Sequence, residues 1–324
     1  MTQTTNRPPA NTIDGPPVAD LAIETHGLHK AYGDKIAVHD VTIAVPRGEV
    51  FGFLGPNGAG KSTTMKMLLG LAFPTSGTAR LLGQPLGSMV AKRQIGFLPE
   101  QFRFHEWLRG TEFLDFHGEL SGVSRADRRR KIPEVLELVG LAGRGNDRLR
   151  GYSKGMLQRI GLAQALLSDP ALIFLDEPTS ALDPIGRREV RDIIRVLKAR
   201  GMTVFLNSHI LSEVESVCDR VAIVDRGRVV RYGPLEELLR EALEVELLLG
   251  AHHEGLLDRI AEFGTIESRE QGQHTTIRMR LDSLDTVPTL VETISRAGVA
   301  IYGVTPHRRS LEDVFLGAVE GGTE

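Results

Sequence analysis

Val50-Phe51-Gly52-Phe53-Leu54 is an unbroken apolar run with the length and the β-branched and aromatic content of a buried strand. Further strand-like runs lie at 22–25, 37–45, 95–98, 171–175, 202–206 and 221–224. Between them the texture changes. Over 112–120 and 125–139 apolar residues recur at three- and four-residue spacing among charges, which predicts amphipathic helices. The whole of 102–169 reads as helical, 63–71 is helix-compatible, and 184–200 is a further helix. Strands alternating with helices imply an α/β fold with a parallel sheet covered on both faces.

A second pattern begins near residue 235. Short strands are expected at 244–249, 265–270, 274–281 and 299–304, with helices at 254–263 and 284–297 between them. That order, βαββαβ, resembles a small ferredoxin-like module. A terminal helix over 310–319 opens on the N-cap pattern Ser310-x-x-Asp313. The expected organisation is therefore a disordered leader over 1–20, a larger α/β domain over 21–234 with a helical subdomain at about 102–169, and a small α+β C-terminal domain over 240–324.

Composition adds exclusions rather than identity. The chain has 324 residues, 41% of them apolar and 25% charged, with a net charge of −3 and no broad basic field that would argue for nucleic acid. The single cysteine, Cys218, excludes an intrachain disulfide framework, fits a reducing compartment and is expected to be a buried apolar filler. The apolar runs are too short to span a bilayer, so a membrane role has to come through a partner. Arg128-Arg129-Arg130-Lys131 is expected to be a solvated helix face. His252-His253 has no further ligand at metal spacing.

The chemistry is concentrated after the first apolar run. Gly55-Pro56-Asn57-Gly58-Ala59-Gly60-Lys61-Ser62-Thr63 satisfies G-x-x-x-x-G-K-[ST] between a predicted strand and a predicted helix. Such a turn aims several backbone N–H groups and a positive helix end at one point, which suits a polyphosphate. Lys61 would neutralise the β- and γ-phosphates, and the Ser62 hydroxyl would ligate Mg²⁺. The run at 171–175 ends in Asp176-Glu177, at the strand edge where ligands gather in α/β sheets. Asp176 would hold Mg²⁺, and Glu177 could polarise a water against the γ-phosphate.

With these motifs in order, the chain resembles the ATP-binding-cassette (ABC) ATPases over 21 to about 232. Tyr152-Ser153-Lys154-Gly155-Met156 stands at the family's signature, Ser180-Ala181-Leu182-Asp183 at its D-loop, and His209 at its switch histidine. Tyr32 stands where the family stacks a ring on adenine. The implied fold is a P-loop NTPase (RecA-like) ABC cassette with a β-subdomain and a helical subdomain, and the implied cofactors are ATP and Mg²⁺. Two departures occur. Lys154 and Met156 replace the glycine and glutamine of LSGGQ, while Ser153 and Gly155, the donors to phosphate, remain. In Leu98-Pro99-Glu100-Gln101 a glutamate takes the place of the usual glutamine, so Glu100 is expected at the site, near the metal, with Gln101 in reserve. Both departures resemble the ABC-2 export group, as does the tail Ser310-Leu311-Glu312-Asp313-Val314-Phe315-Leu316.

The resemblance implies two cassettes meeting head to tail, each site combining one chain's 55–63 loop with the other's Ser153 and Gly155. A homodimer is the simplest assembly, held at the cytoplasmic face of the cell membrane by a separate permease that docks near 102–120. The alternative is a soluble ABC-type ATPase acting on DNA or the ribosome. Those relatives carry long coiled-coil insertions or two cassettes, and neither feature is found in this sequence.

Overall fold

The computed structural model describes residues 20–180, 182–240, 243–250, 254–271, 274–281, 283–308 and 310–320. The expected leader, apart from Asp20, lies outside the described residues, as do Ala181 and the His252-His253 pair. Strands β1 (Leu21–Tyr32) and β2 (Lys35–Pro46) form a hairpin, and β3 (Val50–Leu54), buried at every position, leads into helix α1 (Lys61–Leu68). β4 (Ser76–Leu81), β5 (Gln84–Pro85), α2 (Met89–Lys92) and β6 (Ile95–Leu98) follow, then the helices α3 (Gly110–Leu120), α4 (Arg125–Leu138) and α5 (Lys154–Leu166). The chain returns to the sheet through β7 (Leu172–Asp176), α6 (Pro184–Ala199), β8 (Thr203–Asn207), α7 (Leu211–Val217), β9 (Arg220–Asp225) and β10 (Arg228–Pro234).

These strands make one ten-stranded sheet in the order β5-β4-β1-β2-β10-β9-β3-β8-β7-β6. The run from β9 to β6 is parallel, as is the short β2–β10 contact at Asp40 and Arg228; the β1, β2, β4 and β5 end is antiparallel, as is the pair β9 and β10. The expected parallel sheet is thus found in the central strands, and the antiparallel limb makes the whole a mixed one. The strands with continuous apolar runs occupy the centre, buried on both faces. Alternating polar positions put β1 and β2 on the other limb. β1 is also longer than the expected 22–25, because register shifts between Thr25 and Ala31 keep a polar segment paired.

Apolar packing divides along the sheet. Phe51, Phe53, Phe174 and Phe205 pack on one face, Phe205 standing 5.5, 5.4 and 5.1 Å from the other three rings. On the other face Leu98, Ile173, Leu175 and Leu206 meet Phe113 and Ile160 from the helices. Arg128 departs from the solvated-face expectation: it is 8% exposed and ties α4 to α3, donating to Asp115 at 2.7 Å. A helix facing a neighbouring helix buries the stem of a long cation and pairs its head.

Helix α8 (Leu235–Arg240) precedes a second sheet built from β11 (Leu243–Leu249), β12 (Gly264–Gln271), β13 (Thr275–Leu281) and β14 (Ile301–Arg308), ordered β12-β13-β11-β14 with every pairing antiparallel. Helices α9 (Glu254–Ala261) and α10 (Val287–Arg296) supply Leu256, Ile260, Leu290 and Ile294 to a separate core with Val245, Leu247, Ile277 and Met279. The terminal helix α11 (Leu311–Glu320) does not join that core. Its Leu311, Val314 and Ala318 pack with Val214 and Val217 of α7 in the core of the large sheet.

Candidate active site

The loop after β3 is pinned by close backbone approaches. A Cβ at Gly55 would lie 2.3 Å from the Val224 carbonyl oxygen, and one at Gly60, where φ is +97°, would lie 2.5 Å from that of Ala37. Glycine is therefore required at both positions. Gly227 N donates to Ala59 O at 3.0 Å and holds the loop from outside. α1 starts at Lys61 with no acidic residue in its first turn and no side-chain cap, so its leading N–H groups face the loop without competition. Lys61 is 8% exposed and its Nζ donates to Gly55 O at 2.7 Å and Pro56 O at 3.2 Å. Burial lowers its pKa, opposed by the carboxylates of Glu177, Asp176 and Glu100.

β7 and β8 bring the acidic side alongside. Asp176 is in register with Asn207, whose Nδ2 donates to its Oδ1. Burial raises the Asp176 pKa, opposed by that hydrogen bond, and Glu100 and Glu177 raise it further. Glu177 is buried with φ at +50°, a left-handed conformation that costs a side-chain-bearing residue about 1–3 kcal/mol unless its surroundings enforce it. Its N–H donates to Asn207 O at 2.8 Å, and its carbonyl accepts from Ser180 Oγ at 3.2 Å. The His209 Nδ1 lies 2.7 Å from Glu177 Oε2.

These groups line one cleft of about 420 Å³. It gathers Asn57, Gly58, Gly60, Lys61, Ser62, Thr63, Glu100, Asp176, Glu177 and His209 from the expected site residues. Glu100 lines it and Gln101 does not. Gly55, Pro56 and Ala59 of the 55–63 loop do not line it. Tyr32 does not line the cleft either and sits at the turn end of the β1–β2 hairpin, 52% exposed and opposite Lys35, with the Lys30 ammonium 4.7 Å from its ring centre. Ser153, Gly155 and Asp183 are not brought to the cleft. Ser153 Oγ accepts from Met156 N and caps α5, and Asp183 caps α6 by accepting from Gly186 N at 2.8 Å. Lys35, Ile36, Ala37 and Asn207 also line the cleft and escaped the sequence reading. Asn207 left a signal, a polar residue closing an apolar strand beside the phosphate loop; the hairpin residues left none.

Residues 38–180 match the ABC transporter family. The chain is 40% identical over 318 residues to an uncharacterized ABC transporter ATP-binding protein of Synechocystis sp., covering 95% of this chain and 87% of that one. It belongs to the ABC transporter ATP-binding proteins. Another relative is Nod factor export ATP-binding protein I of Rhizobium sp., 34% identical over 92% of this chain and 97% of that one. A solved structure of the ATP-binding subunit of an ABC transporter aligns with a TM-score of 0.62 at 34% identity, over 68% of this chain and 92% of that one. The mixed sheet and phosphate loop are thus those of an ABC ATPase, an enzyme that binds and hydrolyses ATP. Among the described residues no helix of this ABC subunit is long and apolar enough to cross a membrane.

Mg²⁺ fits the donor set. Three carboxylates face the Lys61 ammonium, and Asn207 Oδ1 is buried in the cleft wall with no hydrogen-bond partner. No group of three or more His, Cys, Asp or Glu at metal-binding geometry occurs among the described residues. Mg²⁺ at phosphate sites takes one or two carboxylates together with phosphate and water.

Proposed function

We propose that this chain is the ATP-hydrolysing subunit of an ABC-2 type exporter, held at the cytoplasmic face of the membrane by a separate permease. The observation that carries the reading is an exposed apolar patch in the segment 105–120 that follows Glu100 along the chain. Trp107 is 69% exposed, Phe116 44% and Leu120 68%, and His105 bridges the first two at ring separations of 5.1 and 5.9 Å. Beneath them Phe102, Phe104, Phe113 and His117 form a packed aromatic base. Rigid aromatics exposed on a firm base suit a helix of a membrane partner. The test is flotation of membranes co-expressing the permease. Trp107→Glu is expected to cut recruitment of the full chain by about tenfold, as loss of one interface anchor does, with ATP binding unchanged. Equal recruitment would reject this patch as the docking face.

Within the site, the 55–63 loop and the α1 N-terminus would bind the polyphosphate, with Lys61 leaving the loop carbonyls for the β- and γ-phosphates. Ser62 and Asp176 would hold Mg²⁺, which supplies charge neutralisation at the phosphates when bound. Glu177 would orient the attacking water, and His209, already on the Glu177 carboxylate, would link it to the γ-phosphate. The family pattern places Ser153 and Gly155 on a phosphate, whereas one chain leaves them outside its own cleft; a second copy supplying its α5 N-terminus would complete each site. ATP then closes a homodimer, and loss of the γ-phosphate opens it.

Tyr32 offers adenine a face at the hairpin end. Tyr32→Ala is expected to weaken ATP about threefold to tenfold, the size of one lost aromatic contact, while kcat at saturation stays within about twofold. Fluorescence titration with steady-state kinetics checks this; unchanged affinity would reject stacking.

A further inference from the structure

Helix α7 starts two residues after His209 and carries Glu213, a carboxylate only 5% exposed. Its Oε2 accepts a hydrogen bond from the hydroxyl of Thr179, itself 2% exposed and two residues beyond Glu177. Its Oε1 faces Arg187 Nε at 3.8 Å, and that Nε donates to the Leu182 carbonyl at 3.0 Å. Leu182 N in turn donates to Thr179 O at 3.1 Å. The segment after Glu177 is thus tied at Thr179 directly, and at Leu182 through Arg187, to one buried acid.

A buried carboxylate is a poor source of stability, since an apolar replacement avoids its desolvation. A left-handed turn at Glu177 persists only where its surroundings over-determine it. We infer that Glu213 is a positioning residue: by holding Thr179 it sets the turn at Glu177 and so aims that carboxylate at the cleft and at His209. The inference rests on the reading of Glu177 as the group that orients water. α7 also accepts the Leu311 N–H on Glu215 Oε2 at 3.0 Å, so the C-terminal helix α11 leans on the element that carries Glu213.

The experiment is steady-state ATPase of the full chain against ATP concentration. Thr179→Val keeps volume and removes the hydroxyl; Thr179→Ser does the reverse. Thr179→Val is expected to lower kcat by roughly tenfold to a hundredfold, as small misplacements of a catalytic group do, with KM within about threefold; Thr179→Ser stays within about threefold of wild type. A packing role predicts the opposite order, because valine preserves the contacts. Glu213→Met keeps the length of the side chain and removes both acceptor oxygens, leaving Thr179 and Arg187 without that partner, and is expected to lower kcat about fivefold on the same grounds; it decides the matter should Thr179→Val not fold. Thr179→Val or Glu213→Met with wild-type kcat, or a serine variant worse than the valine one, overturns the inference. Glu177→Gln is run alongside. If it is inactive while Thr179→Val is active, only the role of Glu213 falls; if it is fully active, the reading of Glu177 falls with it.

Discussion

Glu177→Gln should bind ATP within about threefold of wild type while kcat falls by roughly 10²–10⁴-fold, the range for removal of a general base. The amide keeps the size of the side chain and can still meet His209, so the loop is not displaced. It cannot take a proton or draw one strongly. Chemistry is blocked after binding, and closure driven by the γ-phosphate is then no longer reversed by hydrolysis. Light scattering of this variant should show a dimer with Mg·ATP and a monomer after EDTA. An unchanged kcat would remove Glu177 from catalysis. Binding without dimer formation would mean that the Lys154 and Met156 departures disable the composite site.

Lys61→Ala should fail one step earlier. The cleft holds Glu100, Asp176 and Glu177 against the buried Lys61 ammonium, with Lys35 also on its lining, and Lys61 Nζ already makes two hydrogen bonds to loop carbonyls. Removing the cation leaves three carboxylates facing an incoming polyphosphate. Loss of one partner of a charged, hydrogen-bonded contact to a ligand costs about 2–5 kcal/mol of binding, so ATP affinity should fall by roughly thirtyfold or more. The burial that lowers the Lys61 pKa means that the apoprotein itself should lose little stability. Calorimetric titration with ATP checks the first claim and thermal unfolding the second. Retained affinity would imply that the α1 N-terminus binds the phosphates unaided.

The phosphate loop and the acid pair were legible because their chemistry is local. Gly55 to Thr63 and the strand ending at Asp176 each declare themselves within a few residues, and both lie in elements with unmixed apolar runs. Where polar and apolar positions mix, the pattern says less. It marks only the first part of β1, leaves α7 and β10 without a signal, and puts Arg128 in solvent although α3 covers it. Periodicity reports which face of an element is apolar, not which neighbour will cover a charged one.

The sequence by itself determined the strand–loop–helix cradle, the two acids at a strand edge and the order of the family motifs, since each follows from short-range pattern and backbone chemistry. Tertiary structure alone decided which of these meet. Glu100 reaches the cleft and Gln101 does not; Asn207 and the β2 residues enter it; Ser153, Gly155 and Asp183 remain outside; and α11 leaves its own module to pack on α7. Those outcomes depend on strand order and on which faces two distant segments bury together. Such choices minimise exposed apolar area over the whole chain, and no window of sequence contains them.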